Sequence, residues 1–433
     1  MRPIEALTGS TLIRPSPRPA TDPTLTVDTT MSPAKDQPPR GRSRSFFWAG
    51  VALIVAIAYR VYLHDVVSFL FGFNRVVQPI EDFPWDCKRL HHPLLEGCED
   101  IWLDDDARRL YGACANLETR QGWTPGNNKF NLSARSTPDH IVVLSIDEPG
   151  PDGLYGARRL KIDYPEHLDL LGFDVRLVGD RRRFWLLNHR PPVDPATGKS
   201  LDANKVGANS TIEVFDLNPV SDVLDHVKTI VSDALVSPNN LAVDQDGIGF
   251  LISNDHDSKV STFRDLGMIF GGGSVSYCRT DTGKCKIVAS KGFQFANGVA
   301  LGHDGLFYVA HSSAGIVSVH RMVDDKLVEV DRVHLGIPID NLRTDKQGNI
   351  IAAAIPDVLG FMKSTKDPRN CVAAATVMMI QKQGEKYEVL KIVEDRDAVV
   401  LPASTSAVHD VEGQRLFLAG IFSPFMAVCE KRS

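Results

Sequence analysis

One pattern recurs along the chain and constrains its fold more than any other feature. It is an apolar strand, a tight turn, and a second apolar strand, with a fixed spacing between the strand mouth and the turn. SPNNLAVDQDGIGFLIS places Gly247 seven residues after Asn240, and DNLRTDKQGNIIAAA places Gly348 seven after Asn341. FANGVALGHDGLFYVA repeats the interval between Gly298 and Gly305, and STSAVHDVEGQRLFLAG between Ser406 and Gly413. Two weaker copies lie upstream, from Asp100 to Ala107 and from Gly172 to Gly179. The six copies start near 100, 172, 240, 298, 341 and 406. Each copy with its linker supplies enough chain for four strands, the content of a propeller blade. Short apolar runs between Gly, Asp and Asn turns mark the region as all-β. The spacing therefore predicts a six-bladed β-propeller over 75–433, with its closing strand shared between the two ends. A β-sandwich with similar hairpins is the alternative, and a common interval in all copies selects the propeller.

The N-terminal residues differ in kind. Residues 1–45 are rich in Pro, Ser, Thr and Arg and lack apolar periodicity, the signature of a disordered basic tail. Residues 46–63, FFWAGVALIVAIAYRVYL, are apolar except for Arg60, which is enough for a membrane-spanning helix. Arg40, Arg42 and Arg44 precede it, so the positive-inside rule makes it a signal anchor with residues 64–433 in the lumen or outside. Ala56-Ile57-Ala58 resembles a cleavage site, and a secreted protein is the alternative. A net charge of −6 without a basic block past the tail disfavours a nucleic-acid partner. Seven cysteines fit an oxidising compartment and leave at least one unpaired. Cys87 and Cys429 stand near the two ends of the folded region and Cys278 and Cys285 flank a turn, but spacing alone pairs neither set. Asn131 and Asn209 head glycosylation sequons.

In a propeller the innermost strand of each blade lines the central channel, so equivalent positions converge there. The residues before each first strand are Glu99-Asp100, Gly172-Phe173, Asn239-Asn240, Asn297-Gly298, Asp340-Asn341 and Thr405-Ser406. Glu99, Asn239, Asn297, Asp340 and Asn341 offer only oxygen ligands, with two carboxylates to balance charge. That chemistry suits Ca²⁺ and lacks the Cys/His spacing of zinc.

The pieces GCEDI (97–101), LLNH (186–189), SPNNLAV (237–243), SNDH (253–256), GFQFANG (292–298) and DN (340–341) resemble the paraoxonase/arylesterase family. The likeness is to a divergent, fungal-type member and runs from about Cys87 to Cys429. The resemblance implies two calcium ions in the channel, an uncleaved apolar N-terminal segment, and a Cys87–Cys429 bridge joining the ends of the ring. It implies that Glu99, Asn239, Asn297, Asp340 and Asn341 hold a catalytic ion. It also implies that Asp100, Asn240 and the carbonyl near Phe173 hold a structural one. Asn240 stands where the family has Asp, which weakens the second site. His189 matches the outer histidine of a family pair, whereas the inner position is Leu171, and a third family histidine aligns near Ile355. His256 in SNDHD is another candidate for that role, with a surface turn residue as its favoured reading.

Three functions follow from these features. The first is a calcium-dependent hydrolase of aryl esters or lactones, in which His189, Asp340 or Glu99 serves as base and Phe173, Phe293 and Phe295 receive an apolar group. No G-x-S-x-G elbow supports a serine nucleophile. The second is a sugar-acid lactonase of gluconolactonase type. The third is a membrane-tethered propeller without activity, for which the missing inner histidine is the best argument.

Overall fold

The computed structural model describes residues 42–432, so the tail expected over 1–45 lies outside the described residues up to position 41. The chain divides into two compact units, Met1–Ala58 and Tyr59–Ser433. In the first, the helix Arg42–Ala58 exposes Phe46, Phe47, Trp48, Leu53, Ile54, Val55 and Ile57. The apolar stretch expected as one helix over 46–63 is divided: it is α-helical to Ala58 and a π turn over Tyr59–Leu63. Among the described residues no single helix is long and apolar enough to cross a membrane.

The second unit is a six-bladed propeller. Its innermost strands are Asp100–Asp104, Leu170–Val178, Pro238–Val243, Ala296–Leu301, Ile339–Thr344 and Ser406–Asp410. Each starts within two residues of a sequence repeat, and each is the inner edge of its own antiparallel sheet. The second blade gains a fifth strand, Lys161–Asp163, parallel to its outer edge.

Burial explains why the repeats read as apolar runs rather than alternating ones. Blades stack face to face, so both faces of the inner strands are covered, as in the uniformly buried Pro238–Val243. Six apolar clusters result, one between each pair of neighbouring blades. Leu90, Val408 and Phe417 of the last blade pack on Ile101 and Leu110 of the first.

The ring is closed by strands from opposite ends of the chain. Trp85–Leu90 pairs antiparallel with Met426–Lys431, and Cys87 lies directly across from Cys429. Those two cysteines are disulfide-bonded, as are Cys98–Cys114 and Cys278–Cys285, leaving Cys371 free. The first bridge encloses a separation of 342 residues. In the chain-entropy view, cross-linking so long a loop restricts the unfolded ensemble strongly. Replacing Cys87 and Cys429 by Ser should lower stability by roughly 2–5 kcal/mol in chemical denaturation. An unchanged midpoint would mean that strand pairing alone closes the ring.

Candidate functional site

The same irregularity opens the inner strand of every blade. In the third blade Pro238 pairs with Asn254 and Leu241 with Ile252, so Asn239 and Asn240 together face Ser253. The fourth blade repeats this with Asn297-Gly298 and the fifth with Asp340-Asn341. In the first and sixth blades Glu99 and Thr405 donate their N–H groups to Ala113 and Ala419, which already face Asp100 and Ser406. These are β-bulges, which break the alternation of side chains and turn two consecutive residues from their regular directions. The second blade carries its bulge at Leu171-Gly172, one residue before the Gly172-Phe173 pair expected from the sequence. Phe173 is thereby the first regular strand residue, and its side chain is buried between the first two blades.

The bulges meet at the axis. Asn341 Nδ2 donates to Glu99 Oε1 at 2.8 Å, across 242 positions of sequence. Asn240 Nδ2 donates to Asn341 Oδ1 and to Asp100 Oδ2. Glycine is required at two of these crossings. A Cβ on Gly172 would lie 2.7 Å from the Asn239 carbonyl oxygen, and one on Gly298 would lie 2.4 Å from Leu342 N.

Charge at the axis is incompletely compensated. Burial, then Asp100 and Asp340, push the Glu99 carboxyl well above its usual range. Burial likewise pushes Asp340 up to about 7, against a hydrogen bond from Asn297. Glu99 Oε2, Asn239 Oδ1 and Asn297 Oδ1 are buried without a hydrogen-bond partner. Three unpartnered oxygens beside a second carboxylate are the donor set of a hard cation, so these residues fit the first ion that the resemblance implies. Asn341 is the exception, because its amide oxygen accepts from Asn240.

The second implied ion does not fit. Asp100 Oδ2 is ion-paired with Arg343, and the Phe173 carbonyl accepts from the same guanidinium nitrogen at 2.8 Å. Asn240 turns its Nδ2 toward Asp100, and its Oδ1 accepts from Leu241 N. The oxygens expected to bind that ion are thus already engaged by the protein. Arg343 has no equivalent in the other repeats, and only its charge beside an apolar strand marked it in the sequence.

Two histidines lie near this centre. His189 is buried, with Nδ1 2.8 Å from Ser210 Oγ and Nε2 unpartnered. Burial lowers its pKa to about 4, so it is neutral near pH 7. Leu171 is buried between the second and third blades. His256 is not the surface turn residue expected, being 1% exposed, with Nδ1 2.7 Å from Asp255. Burial raises the Asp255 pKa, but His256, Arg264 and Ser237 outweigh it and hold the group below its usual range. Asp255 also accepts from Asn239 Nδ2 at 3.4 Å, which ties this pair to the oxygen set.

Of the three phenylalanines expected at the mouth, Phe173 and Phe293 are buried in interblade clusters. Phe295 remains, its ring 5.2 Å from that of His256 and its φ at 59°. A left-handed bulky residue is strained, and such strain gathers at functional sites. A loop of the first blade reaches across to the others. Trp123 donates to the His189 carbonyl at 2.9 Å, Pro125 accepts from Arg264, and Lys129 donates to Thr365. Asn131, of the first sequon, is exposed on this loop, and Asn209 is half-buried at a strand start.

The fold and the axis together define an all-β propeller with unpartnered carboxylate and amide oxygens buried at its centre. The arylesterase family model matches residues 201–429. Serum paraoxonase/lactonase 3 of Oryctolagus cuniculus is 30% identical over 347 residues, covering 78% of this chain and 86% of that protein. Serum paraoxonase/arylesterase 1 of Mus musculus is 27% identical over 231 residues, covering 51% and 61%. A solved luciferin-regenerating enzyme superposes with a TM-score of 0.46 at 14% identity, covering 80% of this chain and 95% of its own. The chain belongs to the paraoxonase/arylesterase family of propeller hydrolases.

Because Gly298 packs on the backbone of the next bulge, Gly298→Ala should cost about 1–3 kcal/mol by overpacking. Thermal denaturation checks this, and an unchanged melting temperature would mean that the bulges do not pack as tightly as described.

Proposed function

We propose that the chain is a calcium-dependent hydrolase of aryl esters and lactones, acting at the axis of the ring. The observation that carries this reading is the buried, unpartnered oxygen set of Glu99, Asn239 and Asn297 beside Asp340. Leaving a buried polar atom unpaired costs about 1–3 kcal/mol, and ligation of a cation offsets that cost. Glu99, Asn239, Asn297 and Asp340 would hold the ion, while Asn341 keeps its amide oxygen on Asn240 and its Nδ2 on Glu99. When bound, calcium supplies Lewis-acid polarisation of a carbonyl and stabilises negative charge on its oxygen. The printed names of the relatives, lactonase and arylesterase, favour these two substrate classes.

The chain's own residues supply the base. With Nδ1–H of His189 donating to Ser210 Oγ, Nε2 becomes a free acceptor for a proton from water. Ser210 then does the orienting that a second histidine would do, since Leu171 has no group to donate or accept. Phe295 and His256 would border the apolar part of the substrate.

Hydrolysis of phenyl acetate and of a simple lactone should cease in excess chelator and return with calcium. Full turnover in chelator would sink the metal reading. A base whose folded-state pKa is lowered to about 4 works above that value and is lost as pH falls through it. With calcium saturating, so that Glu99 and Asp340 stay ionised as ligands, kcat/KM should therefore hold steady down to about pH 5 and decline near pH 4. His189→Gln should lower it by roughly 10²–10⁴-fold with calcium binding intact. If His256→Gln has that effect and His189→Gln does not, the base is His256.

A further inference from the structure

Glu99 and Asp100 are consecutive, buried carboxylates in opposite situations. Glu99 keeps one oxygen without a partner. Asp100 has none to spare. Its Oδ1 accepts from Ile101 N and from Ser406 Oγ, each at 2.9 Å. Its Oδ2 accepts from Phe173 N and Asn240 Nδ2, each at 3.2 Å, and from Arg343 Nη2. A carboxylate offers about four lone-pair sites, so Asp100 is saturated.

Arg343 meets this point through two of its three nitrogens. It is 7% exposed, and its Nε donates to the Ile101 carbonyl at 2.8 Å. One nitrogen, Nη2, donates both to the Asp100 carboxylate and to the Phe173 carbonyl. A carboxylate oxygen and a main-chain carbonyl converging on one positive centre is the arrangement a bound cation would organise, here organised by a side chain. The charge balance agrees. Asp100 alone neutralises a guanidinium, whereas a dication would call for a second carboxylate. Position 240 provides an amide, and its NH₂ reinforces Asp100 rather than offering an oxygen.

We propose that Arg343 is a built-in monocation standing where a second divalent ion would otherwise sit, so that the folded chain takes one divalent cation, at Glu99, and not two. This rests on the cation site proposed above. It has a consequence of its own: the link among the first, second and fifth blades at Asp100, Phe173 and Arg343 is covalently anchored and cannot be removed by a chelator.

The test is the number of calcium ions held by the purified full-length chain in detergent, measured by equilibrium dialysis with elemental analysis. One ion per chain is expected. Two would overturn the inference and leave the hydrolase reading standing. None would overturn both. A double variant, Asn240→Asp with Arg343→Ser, restores a second carboxylate and removes the internal cation. It should bind two ions and melt at a lower temperature in chelator than in calcium by a wider margin than the unaltered chain. If the folded variant still binds one ion, Arg343 does not stand in for a cation. If it does not fold, the stoichiometry of the unaltered chain decides.

Discussion

Closure of the ring is the constraint on which everything else depends. A propeller blade cannot bury both faces alone, and each of the six interblade cores needs its neighbour. The last core forms only when Trp85–Leu90 joins the strand ending near the C-terminus, which the Cys87–Cys429 bridge then fixes. The axis exists as a site only after that event, because its donors come from the first, third, fourth and fifth blades. Function here is a late product of folding, with contacts separated by more than 200 residues.

The bulges turn consecutive polar side chains toward the axis of this closed ring. Regular strands would alternate their side chains between the two faces of each blade, and the axis would receive one residue per blade at a given level. An extra residue at each strand mouth redirects a consecutive pair instead. Tight packing of one bulge on the next requires glycine at 172 and 298, so those two positions contribute space rather than ligands. The Cys98–Cys114 bridge adjoins Glu99 and pins the first of these bulges to its neighbouring strand. The energetics then separate two adjacent acids. Asp100 is neutralised internally and holds blades together, while Glu99 retains a free oxygen. A fold that left both uncompensated would concentrate like charge in a buried space at high cost.

Much of this was legible in the chain itself. The seven-residue interval located six blades to within two residues, because turn chemistry and apolar runs are local properties. The oxygen donors were legible as well, since each repeat places them at the same offset. The reading slipped at Leu171-Gly172, where the only cue was a glycine and a bulge is a matter of pairing register rather than of composition. His256 was misread as a surface turn residue because SNDHD looks like an exposed turn. It is buried against Phe295, a partner supplied by tertiary contact, and its neighbour Asp255 is held in turn by Arg264.

The sequence by itself determined the all-β repeat, its number of blades, the chemistry of the donors and the family to which the chain is akin. These depend on spacing and residue type. Only the tertiary structure decided which donors remain free. Arg343 lies 243 positions from Asp100, and no local pattern links them. Whether a carboxylate awaits a cation or already has one depends on what the closed ring brings beside it. At Glu99 it brings open oxygens, and at Asp100 it brings a guanidinium.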